Sequence, residues 1–492
     1  MQRNNNQASM VLDSQLQAQA EREITLKSER VIKDPFRLHY HIMPPVGLLN
    51  DPNGFVYFKG NYHLFFQWNP FATDHTSKFW GHMTSPNLVE WEWQPIALTP
   101  SEWFDKDGCY SGSAIEHKGR LYLFYTGNVR NTQGERESYQ CLAVSDDGIH
   151  FEKRGPLFDV PTGYTAHFRD PKIWKEENQW YLVIGAQTED LGGCALLYYS
   201  SNLVDWELKG EVKDPTQDYS KFGYMWECPD LISFQHQDAL LFSPQGMKAE
   251  GFKYQNIYQT GYLLGDLNRE NGCFKHGSFE EIDGGFDFYA PQTTLDQTGR
   301  RILFGWMGLP DESEAHHPTK AYHWIHAMTI PRELALHGHK IYQRPVEELK
   351  QLRNEKVVEK SETISNGEIN YLPQNAEAME ICFQVKQFEG EAIILRFDQN
   401  TTLYFDSAEQ TLTLTRANFR TKQKESRTTK LQSLKDLHIF LDTSSIEIFI
   451  NQGEKVFTAR LFEESLTRHL AMEVTGSLEY HFRGWKLNKV LN

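Results

Sequence analysis

The sequence predicts an all-β protein, a five-bladed β-propeller followed by a C-terminal β-sandwich. The first observation behind this is a repeat. Gly60–Phe66, Gly119–Tyr125, Asn178–Ile184, Gln237–Ser243 and Gly299–Gly305 share one form, a turn running into an apolar strand. Their anchoring leucines Leu64, Leu123, Leu182, Leu241 and Leu303 stand 59, 59, 59 and 62 residues apart. A fixed period of strand-rich units is the signature of a propeller, and five units imply five blades. The second observation is a motif that keeps step with the first three repeats: Ser85–Trp91, Ser145–Phe151 and Ser200–Trp206 read as turns leading into an outer strand. The third is composition. Aromatic residues make up 13% of the chain, which suits packed strands and sugar stacking better than a helical bundle.

Taken in order, residues 1–32 are expected to form an N-terminal helical extension, because Asp13 to Ser28 reads as a polar helix and not as the apolar core of a signal peptide. Residues 33–340 alternate short aromatic and β-branched runs with Gly, Pro, Asn and Asp turns, the pattern of the propeller itself. After Gln343-Arg344-Pro345 the pattern changes. Val346, Leu349 and Leu352 recur three residues apart among charges, which predicts a linker helix over 341–356. Ala392–Leu395, the Thr/Leu alternation from Thr411 to Thr415, and Ile446–Ile450 then predict strands of a sandwich over 357–492.

The formal net charge of −16 disfavours nucleic acid or an anionic membrane as main partner, since both require a basic footprint. Six cysteines lie far apart with no close pair, so neither a disulfide framework nor a zinc site is expected. No apolar run approaches the roughly 18 residues of a membrane span, and a cytoplasmic protein is expected.

Counting back 12 to 14 residues from each anchor leucine gives Asp51, Ser111, Asp170, Glu227 and Pro291. The first strand of each propeller blade lines the central channel, so these positions converge on one funnel. Singly, Asp51-Pro52-Asn53-Gly54 is a good turn and Arg169-Asp170-Pro171 a surface ion pair. Jointly, three acids at equivalent repeat positions are costly to hold near one axis unless function compensates. Two carboxyl groups across a scissile bond are what glycoside hydrolysis uses. Glu227 is the expected acid: Glu starts with the higher pKa, and Met225, Trp226, Cys228 and nearby aspartates would disfavour its charge. Asp51, in a turn rich in backbone donors, is the expected nucleophile, and Asp170 is expected to hold sugar hydroxyls. Strand alternation would point Arg169 and Asp170 to opposite faces.

With Asn50–Gly54, Arg169–Pro171 and Glu227-Cys228, supported by Phe66–Pro70, Trp80–His82, Tyr110–Ala114 and Gly305–Met307, the chain resembles glycoside hydrolase family 32, the β-fructofuranosidases, most closely its bacterial sucrose-6-phosphate hydrolase branch. Asp442–Gly453 is similar to the carboxyl-terminal sandwich of that family. The resemblance implies Asp51 as nucleophile, Glu227 as acid/base, Asp170 as transition-state stabiliser, and a fructose pocket using Asn50, Gln67, Trp80, Ser111 and Arg169. Leu48, Leu49, Tyr110 and Trp306 join that sugar-binding set; Leu48-Leu49 and Tyr110 stand where many members carry an aromatic with Met and a Phe. The activity implied is retaining hydrolysis of a terminal β-fructofuranoside, sucrose 6-phosphate or sucrose, with no cofactor or metal and a small sugar as the partner. Arg130, Arg136 and His167 are the candidates for reading a phosphate. The rival readings are a fructan hydrolase or fructosyltransferase with the same site, and a carbohydrate-binding propeller without catalysis.

Overall fold

A computed structural model of the chain describes residues 2–367, 369–371, 377–463 and 470–490, so Met1 and the end of the expected 357–492 domain lie outside it. Five separate sheets follow one another along the chain, antiparallel except where a late two-residue strand joins the first. Each begins with an inner strand, Gly47–Phe58, Cys109–His117, Tyr164–Glu176, Met225–Ser233 and Tyr289–Leu295, and steps outward. The inner strands neighbour one another in a closed ring, the first beside the fifth. The anchor leucines all fall on the second strand of their blade, with no exposed surface. The ring is closed by Trp324–Ile325, which pairs parallel to Gly47-Leu48 at the head of the first blade.

The propeller core is divided among the blade seams. One apolar cluster lies between the first and second blades, around Phe65, Trp80 and Leu123; one between the second and third, around Phe124, Ile173 and Leu182. Two more join the third to the fourth and the fourth to the fifth. The last unites the fifth blade with the first and takes in Ala20 of the helix Gln2–Ile32. That helix is further tied to the propeller by Ser9 Oγ donating to Glu102 Oε2 at 2.9 Å and Lys27 Nζ donating to the Phe71 carbonyl at 3.1 Å. Among the described residues no helix is long and apolar enough to cross a membrane.

The linker differs from the helix expected over 341–356. Lys340–Pro345 is the outermost strand of the fifth blade, paired with Arg332–His337, and Arg353–Ser365 already belongs to the sandwich. Between them Glu347–Leu352 is a 3₁₀ helix. A three-residue spacing is the period of a 3₁₀ helix, and Val346, Leu349 and Leu352 are accordingly all buried. Beyond it, among the described residues, ten strands form one hydrogen-bonded sheet in which the long strands Met379–Arg396 and Ala471–Leu487 pair along their whole length. Thr402–Asp406 and Thr411–Ala417 extend one wing, and Asp436–Asp442, Ser445–Ile450 and Lys455–Arg460 the other. Both wings feed one apolar cluster, so the sheet closes on itself as a sandwich.

The two parts meet across buried charges. Arg332, with no exposed side-chain surface, pairs with Asp283 at 2.9 Å and Glu447 at 2.6 Å. His41 places Nδ1 2.8 Å from Asp442 and Nε2 3.1 Å from Glu447. Burial opposes the imidazolium, yet the two carboxylates outweigh it and raise the His41 pKa, so its contribution to stability is present at low pH and is lost as pH rises through the raised value. Arg332→Met would leave Asp283 and Glu447 buried without their shared cation. Urea unfolding is expected to show a loss of about 3–5 kcal/mol. An unchanged midpoint would mean the network contributes nothing to the join.

Candidate active site

All five inner strands lose their ladder register at the same level. The interruptions fall between Leu49 and Pro52, Cys109 and Gly112, Arg169 and Lys172, Glu227 and Asp230, and Tyr289 and Gln292. The residues inside them are Asn50-Asp51, Tyr110-Ser111, Asp170-Pro171, Cys228-Pro229 and Ala290-Pro291. A bulge frees one residue from alternation and re-aims its side chain. Asp170, Cys228 and Ala290 take left-handed φ values of 69°, 48° and 47° there. The prolines have no N–H to leave unpaired where the ladder breaks. The bulge also overturns the expectation that Arg169 and Asp170 face opposite ways: their charged atoms lie 4.0 Å apart, and both reach the funnel.

The three acids are brought together with different partners. Asp51 Oδ2 accepts from Ser111 Oγ at 2.6 Å, and the Cys228 thiol lies 3.9 Å from the same oxygen. Ser111 Oγ accepts from Gln67 Nε2 at 2.7 Å, and Gln67 Oε1 from Asn50 Nδ2 at 3.0 Å. Asp170 Oδ2 accepts from the Cys228 amide at 3.0 Å. Burial, with Glu227 and Asp51 adding to it against the opposing Arg169 and Cys228 amide, raises the Asp170 pKa to about 7. Glu227 is wrapped in donors. Arg169 gives Nε at 3.1 Å and Nη2 at 2.7 Å to Oε1, while Gln245 Nε2 at 2.7 Å and Tyr289 Oη at 2.6 Å serve Oε2. The apolar surroundings expected for it are absent because the pleat turns Trp226 into the blade seam, stacked 4.2 Å from Phe242, and the Cys228 thiol faces Asp51.

The remaining expected residues divide into lining and support. Asn50, Gln67, Ser111 and Arg169 stand in the network just described. Leu48 and Leu49 have no exposed surface, and Leu49 packs in the seam between the first and fifth blades, so these two back the site and cannot line it. Trp80 is also fully buried; its Nε1 donates to the Tyr110 carbonyl at 3.1 Å and so holds that bulge. Trp306 is buried against the edges of His326 and Tyr289. Arg136 lies 5.9 Å over the half-buried Tyr110 ring, and Arg130 is its exposed cross-strand partner. His167 is not the cation expected. Burial and its neighbours Arg169 and Arg136 push its pKa down to about 4, and Nδ1 accepts from Arg169 at 3.1 Å and lies 3.5 Å from Arg136.

Sequence reasoning misses Tyr289, Gln245 and Lys78. Tyr289 opens the fifth inner strand two residues before the repeat position Pro291, and the bulge that brings it to the site leaves no mark in the spacing. A metal-capable group also escapes spacing arguments: Glu380, Cys382 and His438 gather across adjacent sandwich strands, although Arg353 already holds both oxygens of Glu380.

The Glycosyl hydrolases family 32 N-terminal domain matches residues 41–345, and the family 32 C-terminal domain matches 348–485. A sucrose-6-phosphate hydrolase of Bacillus subtilis is 50% identical over 96% of this chain and 99% of its own. The structure of a sucrose-6-phosphate hydrolase from Lactobacillus gasseri aligns with a TM-score of 0.86 at 33% identity, over 96% of this chain and 97% of that one. A Bombyx mori β-fructofuranosidase variant in complex with sucrose aligns with a TM-score of 0.85 at 33% identity, over 97% and 99%. The chain belongs to glycoside hydrolase family 32.

Because folding raises the Asp170 pKa, its contribution is full below the ordinary value of 3.8 and is lost as pH rises to about 7. Asp170→Asn keeps an acceptor for the Cys228 amide without the charge. Its unfolding temperature is expected to match wild type near pH 4 and to exceed it at pH 8, read by calorimetry; a constant difference across pH would refute the buried charge at this position.

Proposed function

We propose that this member of glycoside hydrolase family 32 uses Asp51 as nucleophile and Glu227 as acid and then base, with Asp170 bound to fructose hydroxyls. The enzyme is a glycoside hydrolase cleaving the fructosyl bond of sucrose or sucrose 6-phosphate. The observation that carries this reading is the convergence of Asp51 and Glu227 on one funnel from the bulged inner strands of the first and fourth blades, Asp51 under the Ser111 hydroxyl and Glu227 positioned by Arg169, Gln245 and Tyr289.

In the first step Asp51 attacks the anomeric carbon while Glu227 gives its proton to the departing glucosyl oxygen, leaving a fructosyl ester on Asp51. In the second, Glu227 takes a proton from water, the water oxygen bonds to the anomeric carbon, and the Asp51 carboxylate leaves with net retention. Tyr289 suits a group that changes protonation twice per cycle. Its hydroxyl donates to Glu227 Oε2 when Glu227 is ionised, and can turn toward the Ser243 carbonyl, 3.4 Å away, to accept from Glu227 when it is protonated. Asp170, bonded to fructose hydroxyls, gains most as the ring flattens toward an oxocarbenium ion.

For the leaving sugar the reading favours the phosphorylated form. Arg130 and Arg136 sit opposite each other across two strands of the second blade, Arg136 close enough to Arg169 and Glu227 to feel both charges. Among the described residues neither guanidinium has a carboxylate at ion-pair distance: Arg130 Nη1 donates to the Gly134 carbonyl and Arg136 Nη1 lies 3.5 Å from His167 Nδ1, which leaves both able to take a phosphate. His167 braces Arg136 as a neutral group. A charged substrate does not diffuse out through a membrane, and a cytoplasmic location accords with it.

Glu227→Ala is expected to lose sucrose hydrolysis by about a hundredfold or more, and to recover partly with an aryl fructoside and azide, whereas Asp51→Ala recovers with neither. The leaving-group reading is tested by paired kinetics. kcat/KM should favour sucrose 6-phosphate over sucrose by at least about tenfold, and Arg136→Met should collapse that ratio. Equal efficiency on both substrates would make the enzyme a general β-fructofuranosidase.

A further inference from the structure

We propose that Lys78 is a positioning residue for the nucleophile, acting through a one-way chain of hydrogen bonds that ends on Asp51. Lys78 lies between the second and third strands of the first blade and is buried, packed against Gly108, where an added Cβ would meet its own Cβ at 3.2 Å. Its Nζ donates to Asn50 Oδ1. Asn50 Nδ2 then donates to Gln67 Oε1 at 3.0 Å, Gln67 Nε2 to Ser111 Oγ at 2.7 Å, and Ser111 Oγ to Asp51 Oδ2 at 2.6 Å. Every bond points the same way. An ammonium can only donate and an ionised carboxylate can only accept, so the two ends set the direction of everything between them. With Lys78 at the head, Asn50 must present its oxygen backward and its NH₂ forward, Gln67 must do the same in turn, and the Ser111 proton has one place to go. Without it the two amides are free to turn over, and Ser111 is free to turn its proton away from the nucleophile.

The head of the chain is itself anchored. His75 Nδ1 accepts from Lys78 Nζ at 2.8 Å, and His75 Nε2 donates to Glu314 Oε1 at 2.9 Å, which also receives His326 Nε2 at 2.7 Å. Glu314 belongs to the segment between the strand Arg301–Met307 and the closing strand Trp324–Ile325, so that segment supports the nucleophile of the first blade at a distance. The charged groups facing Lys78 are Asp51, Glu314 and Asp74, with His75 in contact. Burial lowers the Lys78 pKa to about 8 against the pull of those three carboxylates. The cation at the head of the chain is therefore lost within the working range of an enzyme assay.

The inference rests on Asp51 being the nucleophile. Its test uses an activated aryl β-D-fructofuranoside, whose leaving group needs no proton from Glu227, with Asp51→Ala as reference. Lys78→Met and Ser111→Ala are each expected to lower kcat by at least about tenfold, while the double variant is no more than about threefold slower than the slower single one, the coupling expected of members of one chain. The wild-type rate should fall as pH rises through about 8; Lys78→Arg, whose guanidinium stays charged, should carry that fall beyond about pH 9, and Lys78→Met should lack it. Losses that multiply in the double variant, or a Lys78→Arg profile still breaking near pH 8, would overturn the chain. The second of these decides the matter even if Lys78→Met fails to fold. An active Asp51→Ala would sink the nucleophile assignment instead, whatever Lys78 does.

Discussion

A closed ring of five strands can bring five backbone positions to one axis, but regular strands would give that axis alternate residues and a complete ladder. The bulge at the same level of every inner strand is the constraint on which the site depends. It places Asp51, Ser111, Asp170 and Glu227 at one depth although they are separated by whole blades of sequence. Non-glycine residues with positive φ cost of the order of 1–3 kcal/mol each, and Asp170, Cys228 and Ala290 hold that conformation where the ladder is broken. The surrounding seams supply the rigidity: Leu49, Cys109, Phe168, Trp226 and Tyr289, which flank the five bulges, lie in apolar clusters that join neighbouring blades.

The same convergence creates an electrostatic problem that the network divides unequally. Arg169 is the cation in direct contact with the acids, and although burial opposes its charge, Glu227 and Asp170 hold its pKa well above the usual value. Two of its bonds go to Glu227 and a third to His167. Asp170 has a backbone amide and Arg169 at 4.0 Å to set against burial and the field of two other carboxylates, and burial makes its charge the costly one. Asp51 is served from the other side, by a hydroxyl at the end of a chain that starts on Lys78. Three carboxyl groups of similar chemistry thus acquire three separate environments from bulge geometry and partner choice.

Much of this is legible in the sequence. The interval between anchor leucines locates the blades, and the offset from each leucine finds the level at which the inner strands bulge, because strand and turn lengths are nearly constant within the repeat. The linker is harder to read: a three-residue apolar spacing resembles an α-helical face, but it is the 3₁₀ period. The surroundings of Glu227 are hidden because neighbours in sequence are not neighbours of a side chain in a pleated strand: Trp226 packs in the seam, while Tyr289 and Gln245 arrive from other strands. Lys78 and its anchor Glu314 have no repeat counterpart. They sit between strands, in segments whose placement depends on how the ring closes.

The central claim is that Asp51 carries the fructosyl group between the two steps. Incubating Glu227→Ala with an activated aryl fructoside allows the first step and starves the second of its base, so the intermediate accumulates. Digestion and mass spectrometry are expected to find one fructosyl unit on the peptide containing Asp51, lost on adding azide. An adduct on Asp170, or aryl release without any adduct, would contradict the account.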